Sequence, residues 1–204
     1  MTAAPAGVVL AAGAGTRFGG PKALARIGGE LLVDRAVRTL REGGCAPVVV
    51  VLGASSDEVR RTARLEGVEA VDNDAWATGM GSSLRCGLDT AARSHAPAAI
   101  VALVDQPGIT PEVVGRLTDR WRAGADAVVA SYAGEPRNPV LLDARVWPEV
   151  AARATGDVGA RAWLRANPDR VVAVPCDDIA DADDIDTPTD LTARRPEEST
   201  EITR

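Results

Sequence analysis

Gly7-Val8-Val9-Leu10-Ala11-Ala12-Gly13-Ala14-Gly15-Thr16-Arg17-Phe18-Gly19-Gly20-Pro21-Lys22 is an apolar run that breaks into a glycine-rich turn. A short uncharged run bounded by glycine, with no polar alternation, is the pattern of a strand buried on both faces of a parallel sheet. Gly13, Gly15, Gly19 and Gly20 then remove side chains where backbone N–H groups would have to approach an anion, and glycine reaches the positive φ values such a cradle uses. Arg17 adds a potential bidentate phosphate clamp and Lys22 a point charge. Of the 23 basic residues, all but Lys22 are arginine. In a chain with that bias, one lysine beside a glycine turn marks a place for a compact ammonium rather than a planar guanidinium.

Two common phosphate-binding loops fail here letter by letter. A dinucleotide fingerprint G-x-G-x-x-G from Gly13 needs a small residue where Phe18 stands. A P-loop from Gly15 reaches Gly20, but Pro21 then precedes Lys22, and Ala23 replaces the metal-binding hydroxyl.

Further apolar runs recur at Val48–Leu52, Val68–Val71, Ala98–Val104, Ala127–Ser131 and Val171–Val174. Helical patterns lie between most of them. Leu32, Val33, Ala36, Val37 and Leu40 form one stripe, Asp57 to Leu65 a shorter charged helix, and Ser83 to Ala92 another with Leu84 and Leu88 inward. Thr110-Pro111 and Thr187-Pro188 both read as an N-cap followed by proline at the first helical position. Alternation of strand and helix predicts one Rossmann-like α/β domain over residues 1–191, with a mainly parallel twisted sheet flanked by helices. Residues 1–6 and 192–204, including Arg194 and Arg195, read as frayed ends.

A net charge of −6 leaves no electrostatic footprint for nucleic acid or an anionic membrane. Cys45, Cys86 and Cys176 are odd in number and widely spaced, and His95 is the only histidine, so zinc sites and a Ser–His–Asp triad are not indicated. The absence of a signal pattern or a long apolar stretch predicts a cytoplasmic protein without a membrane span.

Ligands of open α/β sheets gather beyond the carboxyl ends of the strands. The glycine turn lies there, and so does Asp105, directly after Ile100-Val101-Ala102-Leu103-Val104. A carboxylate at that point suits Mg²⁺, which takes one or two carboxylates plus phosphate oxygens; the lesser alternative is a cap on the turn before Pro107. In the acidic run from Asp177 to Asp186, Asp186 stands out because it immediately precedes a helix start, with Asp184 as the alternative. Ser82 and Ser83 either contact nucleotide or cap their helix.

The ordered set of motifs resembles the nucleotidyltransferases related to molybdenum cofactor cytidylyltransferase. It comprises Leu10-Ala11-Ala12-Gly13-x-Gly15-x-Arg17-Phe18-Gly19-x-Pro21-Lys22, Gly79-Met80-Gly81-Ser82-Ser83-Leu84-Arg85, Val104-Asp105-Gln106-Pro107, Asn138-Pro139-Val140, Gly156-Asp157-x-Gly159-Ala160-Arg161 and Asp184-Ile185-Asp186-Thr187-Pro188. The resemblance spans about residues 7 to 191 and implies the nucleotide-diphospho-sugar transferase type of fold. It implies nucleotide contacts from Leu10, Ala11, Ala12, Gly13, Gly15, Lys22, Ser82, Ser83 and Asp105, Mg²⁺ on Asp105 and Asp186, and acceptor contacts from Arg137, Asn138 and Arg161. Arg17, Lys22 and Asp105 would be catalytic. It further implies CTP as donor, molybdopterin as acceptor and a molybdenum hydroxylase as a downstream partner. Asn138 departs from the family, where histidine is more typical before Pro-Val. Guanylyl-transferring relatives tend to carry glycine where Ala12 stands, which favours CTP.

Two other readings compete. The chain is also similar to proteins described as nicotine blue oxidoreductases, which implies an NAD(P)H-dependent enzyme, although Phe18 and the two metal carboxylates fit that poorly. A non-catalytic carrier of the molybdenum cofactor would have no use for Lys22 and two metal ligands.

Overall fold

The structure, a computed structural model, describes residues 4–193. Strand β1 (Ala6–Leu10) leads through the glycine turn and a single 3-10 turn (Lys22–Leu24) to a small antiparallel pair, β2 (Arg26–Ile27) and β3 (Glu30–Leu31), and then helix α1 (Leu32–Glu42). There follow β4 (Val48–Leu52), α2 (Ser56–Thr62), β5 (Glu69–Asp72), α3 (Met80–Arg93), β6 (Ala98–Leu103) and α4 (Pro111–Arg122). The last part holds β7 (Ala127–Tyr132), β8 (Glu135–Asp143), α5 (Trp147–Arg153), α6 (Arg161–Ala166), β9 (Val171–Pro175) and α7 (Pro188–Ala193). Seven strands form one sheet in the order β5-β4-β1-β6-β8-β7-β9. Every pairing in it is parallel except the two made by β8.

The uninterrupted apolar strands are explained by burial on both faces. Val9, Val50 and Ile100 point into one core with Val33, Val37 and Leu40 of α1 and Val113 and Leu117 of α4. Val8, Val49 and Val101 point into the other, against Leu84 and Leu88 of α3, Trp147 of α5 and Trp163 of α6. Gly87 lets α3 lie close on β1, since a Cβ there would meet Val8 Cγ1 at 2.4 Å.

β8 is absent from the sequence-level set of strands because its first half, Glu135-Pro136-Arg137-Asn138-Pro139, is polar and contains two prolines. Proline cannot donate to a ladder and sits at edges or bulges. The register shows this directly: Val129 pairs with Val140 but Ala130 with Arg137, so Asn138 and Pro139 bulge out of the ladder. α5 carries no start signal beyond Pro148, so the sequence pattern does not reveal it.

Residues 4–6 are not frayed. Ala6 pairs with Ala99, Pro5 is buried and its carbonyl accepts from Ala46 N at 3.0 Å. Thr192 and Ala193 belong to α7 rather than to a tail; Arg194 and Arg195 lie outside the described residues. Thr110 occupies the N-cap position of α4 but its hydroxyl makes no capping bond. The Thr187 signal is a full capping box: Asp190 Oδ2 accepts from Thr187 N at 2.7 Å, and Asp190 N donates to Thr187 Oγ1 at 3.4 Å. No helix among the described residues is long and apolar enough to cross a membrane.

Candidate active site

The site is built where the topology puts it, over the carboxyl ends of β1, β4 and β6. A cleft of about 470 Å³ is lined by Leu10, Ala12, Gly13, Gly15, Arg17, Phe18 and Lys22 from the first turn, by Trp76 and Gly79 from the β5–α3 connection, by Ser83 from the first turn of α3, and by Asp105 and Asp186. Gly15 is required by geometry: its φ is +61° and a Cβ would stand 1.9 Å from Gly20 O. Gly19 N and Gly20 N both donate back to Gly15 O, at 2.9 and 3.1 Å, which closes the turn. Gly13 is different. Its φ is ordinary and nothing in the protein lies within 4 Å of the position its Cβ would take, so only a ligand laid on the exposed backbone would need it bare.

Pro21 sets the entry to the 3-10 turn, and that turn aims Lys22 across the cleft. Lys22 Nζ donates to Asp105 Oδ2 at 2.8 Å and to Asp186 Oδ1 at 2.9 Å. Asp105 arrives from the end of β6. Asp186 is held in two ways: Ile185, fully buried, donates its N–H to Asp105 O at 2.9 Å, and Asp186 N donates to Asp190 Oδ2 at 2.9 Å. Burial acts to lower the pKa of Lys22, but its bonds to Asp105 and Asp186 outweigh that and raise it. The same bond from Lys22 lowers the pKa of Asp186, with Arg17 adding a smaller effect. Asp184, the alternative second carboxylate, does not line the cleft and accepts from Gln106 Nε2 at 2.8 Å; its burial raises its pKa.

Of the serines, Ser83 lines the cleft and Ser82 does not. Ser82 Oγ lies 2.9 Å from Ala75 O and 2.8 Å from Gly79 O and accepts from Asn73 Nδ2 at 2.8 Å, so the hydroxyl is consumed in holding the turn before α3. Neither serine caps the helix: Gly79 is the N-cap residue, without a side-chain bond. Ala11 is buried beneath the turn and is not part of the lining.

A second cavity, also about 470 Å³, adjoins the first and shares Met80, Leu103 and Asp157 with it. Arg137, Asn138 and Arg161 all line it, together with Arg165. The β8 bulge presents Asn138, and the turn before α6 presents Arg161. None of the three guanidinium groups has a protein partner among the described residues, over a floor that includes Val129, Val140, Leu164 and Val171. Asp157, from the Gly156-Asp157 motif, joins the two cavities: its Oδ1 accepts from Met80 N at 3.3 Å. Trp76 was missed as a lining residue, because nothing in its local sequence separates a site tryptophan from a core one.

A glycine turn with bare backbone, an ammonium and two carboxylates at the strand ends, and a neighbouring cationic cavity are parts suited to a nucleotide-handling α/β protein. Residues 7–177 match the MobA-like NTP transferase domain, and the chain belongs to this family of nucleotidyltransferases. It is 44% identical over 190 residues to a nicotine blue oxidoreductase of Paenarthrobacter nicotinovorans, covering 89% of this chain and 91% of that one. It is 30% identical over 191 residues to a molybdenum cofactor guanylyltransferase of Rhodobacter capsulatus, covering 91% and 92%. Among solved structures, Rv0371c from Mycobacterium tuberculosis H37Rv superposes with a TM-score of 0.80 at 28% identity, covering 95% of this chain and 98% of that one; it is also known in complex with manganese.

Proposed function

We propose that the protein transfers a nucleotidyl group from an NTP, with CTP the favoured donor, to a phosphate-bearing acceptor of the molybdopterin type, releasing pyrophosphate. The observation that carries this reading is the convergence of Asp105 and Asp186 on the Lys22 ammonium at the mouth of a cleft floored by bare backbone at Gly13.

Asp105 and Asp186 fit Mg²⁺, since their oxygens already meet around one cation and such ions are held by one or two carboxylates with phosphates completing the shell. A bound Mg²⁺ would supply charge neutralisation on the phosphate oxygens. The chain's own residues do the rest. The stretch from Gly13 to Phe18 cradles the triphosphate, Gly19 and Gly20 having spent their N–H groups on Gly15 O to close the turn, and Arg17 and Lys22 offset the charge that builds on the departing pyrophosphate. Arg137 and Arg161 hold the acceptor so that a phosphate oxygen attacks the α-phosphorus in line. A bond forms between that oxygen and phosphorus as the bond to the pyrophosphate oxygen breaks. An ionised phosphate needs no general base, which suits a site without histidine.

Ala12 supports CTP because its methyl lines the cleft and takes room that a purine would use. The guanylyltransferase relative makes GTP the competing donor. A pyrophosphate-release screen of the four NTPs, with and without molybdopterin, tests both points. Release with CTP only when the acceptor is present is the expected result, and no release with any NTP refutes the reading.

The 44% identity to a nicotine blue oxidoreductase favours a second reading, an NAD(P)H-dependent oxidoreductase. Phe18 at the third glycine position of a dinucleotide fingerprint counts against it. Fluorescence titration with NADH and NADPH separates the two, and saturable micromolar binding with substrate-dependent oxidation would replace the first reading by the second.

A further inference from the structure

We propose that Trp76 is the wall against which the donor's nucleobase stacks, with the Ser83 hydroxyl offered to the edge of the base. The proposal rests on the nucleotidyl-transfer reading above and deepens it.

The four tryptophans divide three to one. Trp121 Nε1 donates to Asp143 at 2.7 Å, Trp147 Nε1 to Leu142 O at 3.0 Å and Trp163 Nε1 to Glu149 at 3.0 Å. All three are tied into the interior or into ion-pair clusters. Trp76 Nε1 has no hydrogen-bond partner among the described residues, and Trp76 is the only one of the four that lines the nucleotide cleft. Its place there is prepared by Gly53 at the end of β4: a Cβ on Gly53 would lie 2.6 Å from Trp76 Cβ and 2.6 Å from Ala12 O. The missing side chain therefore lets the indole sit against the backbone of the first turn.

Topology assigns this end of the cleft to the base. In the order β5-β4-β1-β6, Trp76 packs over the end of β4 while Asp105 follows β6, so the two stand on opposite sides of β1. The β6 side carries the charged groups, Lys22 with its two carboxylates. The β4 side offers the uncharged Ala12, Trp76, Ala77 and Ser83, with Asp157 entering the lining only at Met80, whose N–H its carboxylate already accepts. A nucleotide with its phosphates at Lys22 brings its base to the neutral side. Ser83 Oγ accepts from Asn73 Nδ2 at 3.0 Å, and its own hydrogen has no acceptor among the described residues, unlike that of Ser82. An indole face stacks with any base, so Trp76 supplies affinity and Ser83 orientation.

The test is calorimetric titration of the full chain with CTP, GTP and inorganic tripolyphosphate, beside intrinsic tryptophan fluorescence, for the wild type, Trp76→Phe and Trp76→Ala. NTP should quench the wild-type emission. Trp76→Phe should abolish the quench while keeping near wild-type affinity, which also guards against a folding artefact. Trp76→Ala should weaken NTP binding by about 5- to 150-fold, the usual range for losing a base–aromatic stack, and leave tripolyphosphate binding unchanged. Unchanged NTP affinity in Trp76→Ala, or equal weakening of NTP and tripolyphosphate, overturns the proposal. A wild type that binds tripolyphosphate but no NTP overturns the nucleotidyl-transfer reading itself, and this proposal with it.

Discussion

Lys22→Met should loosen the ligand-free protein and at the same time make its carboxylates more open to a metal. Methionine keeps the length of the side chain and deletes the charge. The Lys22–Asp105 bond joins side chains only 16% and 20% exposed. A charge-assisted hydrogen bond in that setting contributes about 1.5–3 kcal/mol. The Asp186 side chain is 50% exposed, so solvent reduces its bond to about 0.2–1 kcal/mol. Freeing Lys22 from its burial cost offsets part of the loss, which leaves an expected destabilisation of about 1–3 kcal/mol without ligands. The pH dependence has a definite sign. Asp186 has a lowered pKa, so its share is present above the ordinary 3.8 and disappears as pH falls through the folded value. Lys22 has a raised pKa, so its share is complete below the ordinary 10.5 and disappears as pH rises through the folded value. The stability difference between wild type and variant should therefore be a plateau between these limits, falling at both ends, measured by urea unfolding across pH. Because the wild type must give up the same bonds to admit a cation between Asp105 and Asp186, nucleotide-free Mn²⁺ should bind the variant tighter by about 5- to 150-fold. Turnover, by contrast, should be abolished. Equal or weaker Mn²⁺ binding by Lys22→Met would refute the idea that the ammonium holds the place of a metal.

Asp105→Asn and Asp186→Asn should each cost turnover by orders of magnitude, and the double variant little more, because one displaced ion cannot be displaced twice; kcat across a Mg²⁺ titration checks this, and fully additive losses would mean separate roles. Gly15→Ala should lower the unfolding temperature by several degrees, since its Cβ would meet Gly20 O at 1.9 Å, and lower turnover by about 100-fold through a misplaced phosphate cradle. Wild-type pyrophosphate release in that variant would show that the turn does not grip the phosphates.

Much of this molecule is legible in one dimension because its decisive features are local. Valine-rich runs buried on two faces, a proline and a capping pair at Thr187, and a glycine with positive φ at residue 15 each follow from the chemistry of a few neighbouring residues. β1, β4, β6 and β7 and the phosphate turn are therefore readable, and the parallel alternation places Asp105 at a strand end. β8 was not readable, because the prolines and polar residues of its first half leave only Val140-Leu141-Leu142 as an apolar run. It is made a strand by Val128–Val129 on one side and Ile100–Val101 on the other, whose ladders it completes.

What only the tertiary structure decided is which residues share a space. Lys22 meets a carboxylate 83 residues away and another 164 away, and no periodicity carries information over that distance. Ser82 and Ser83 are chemically identical and adjacent in sequence; the turn of a helix sends one hydroxyl into the backbone of its own loop and leaves the other facing the cleft. Asp184 and Asp186 are likewise equivalent until the Ile185 anchor turns one toward Gln106 and the other toward Lys22. Trp76 becomes a cleft wall only because Gly53, 23 positions earlier, withholds a side chain. Local propensity and burial pattern act over a turn or a strand, whereas the direction of a side chain at a site is set by packing between elements that meet only after the sheet has formed.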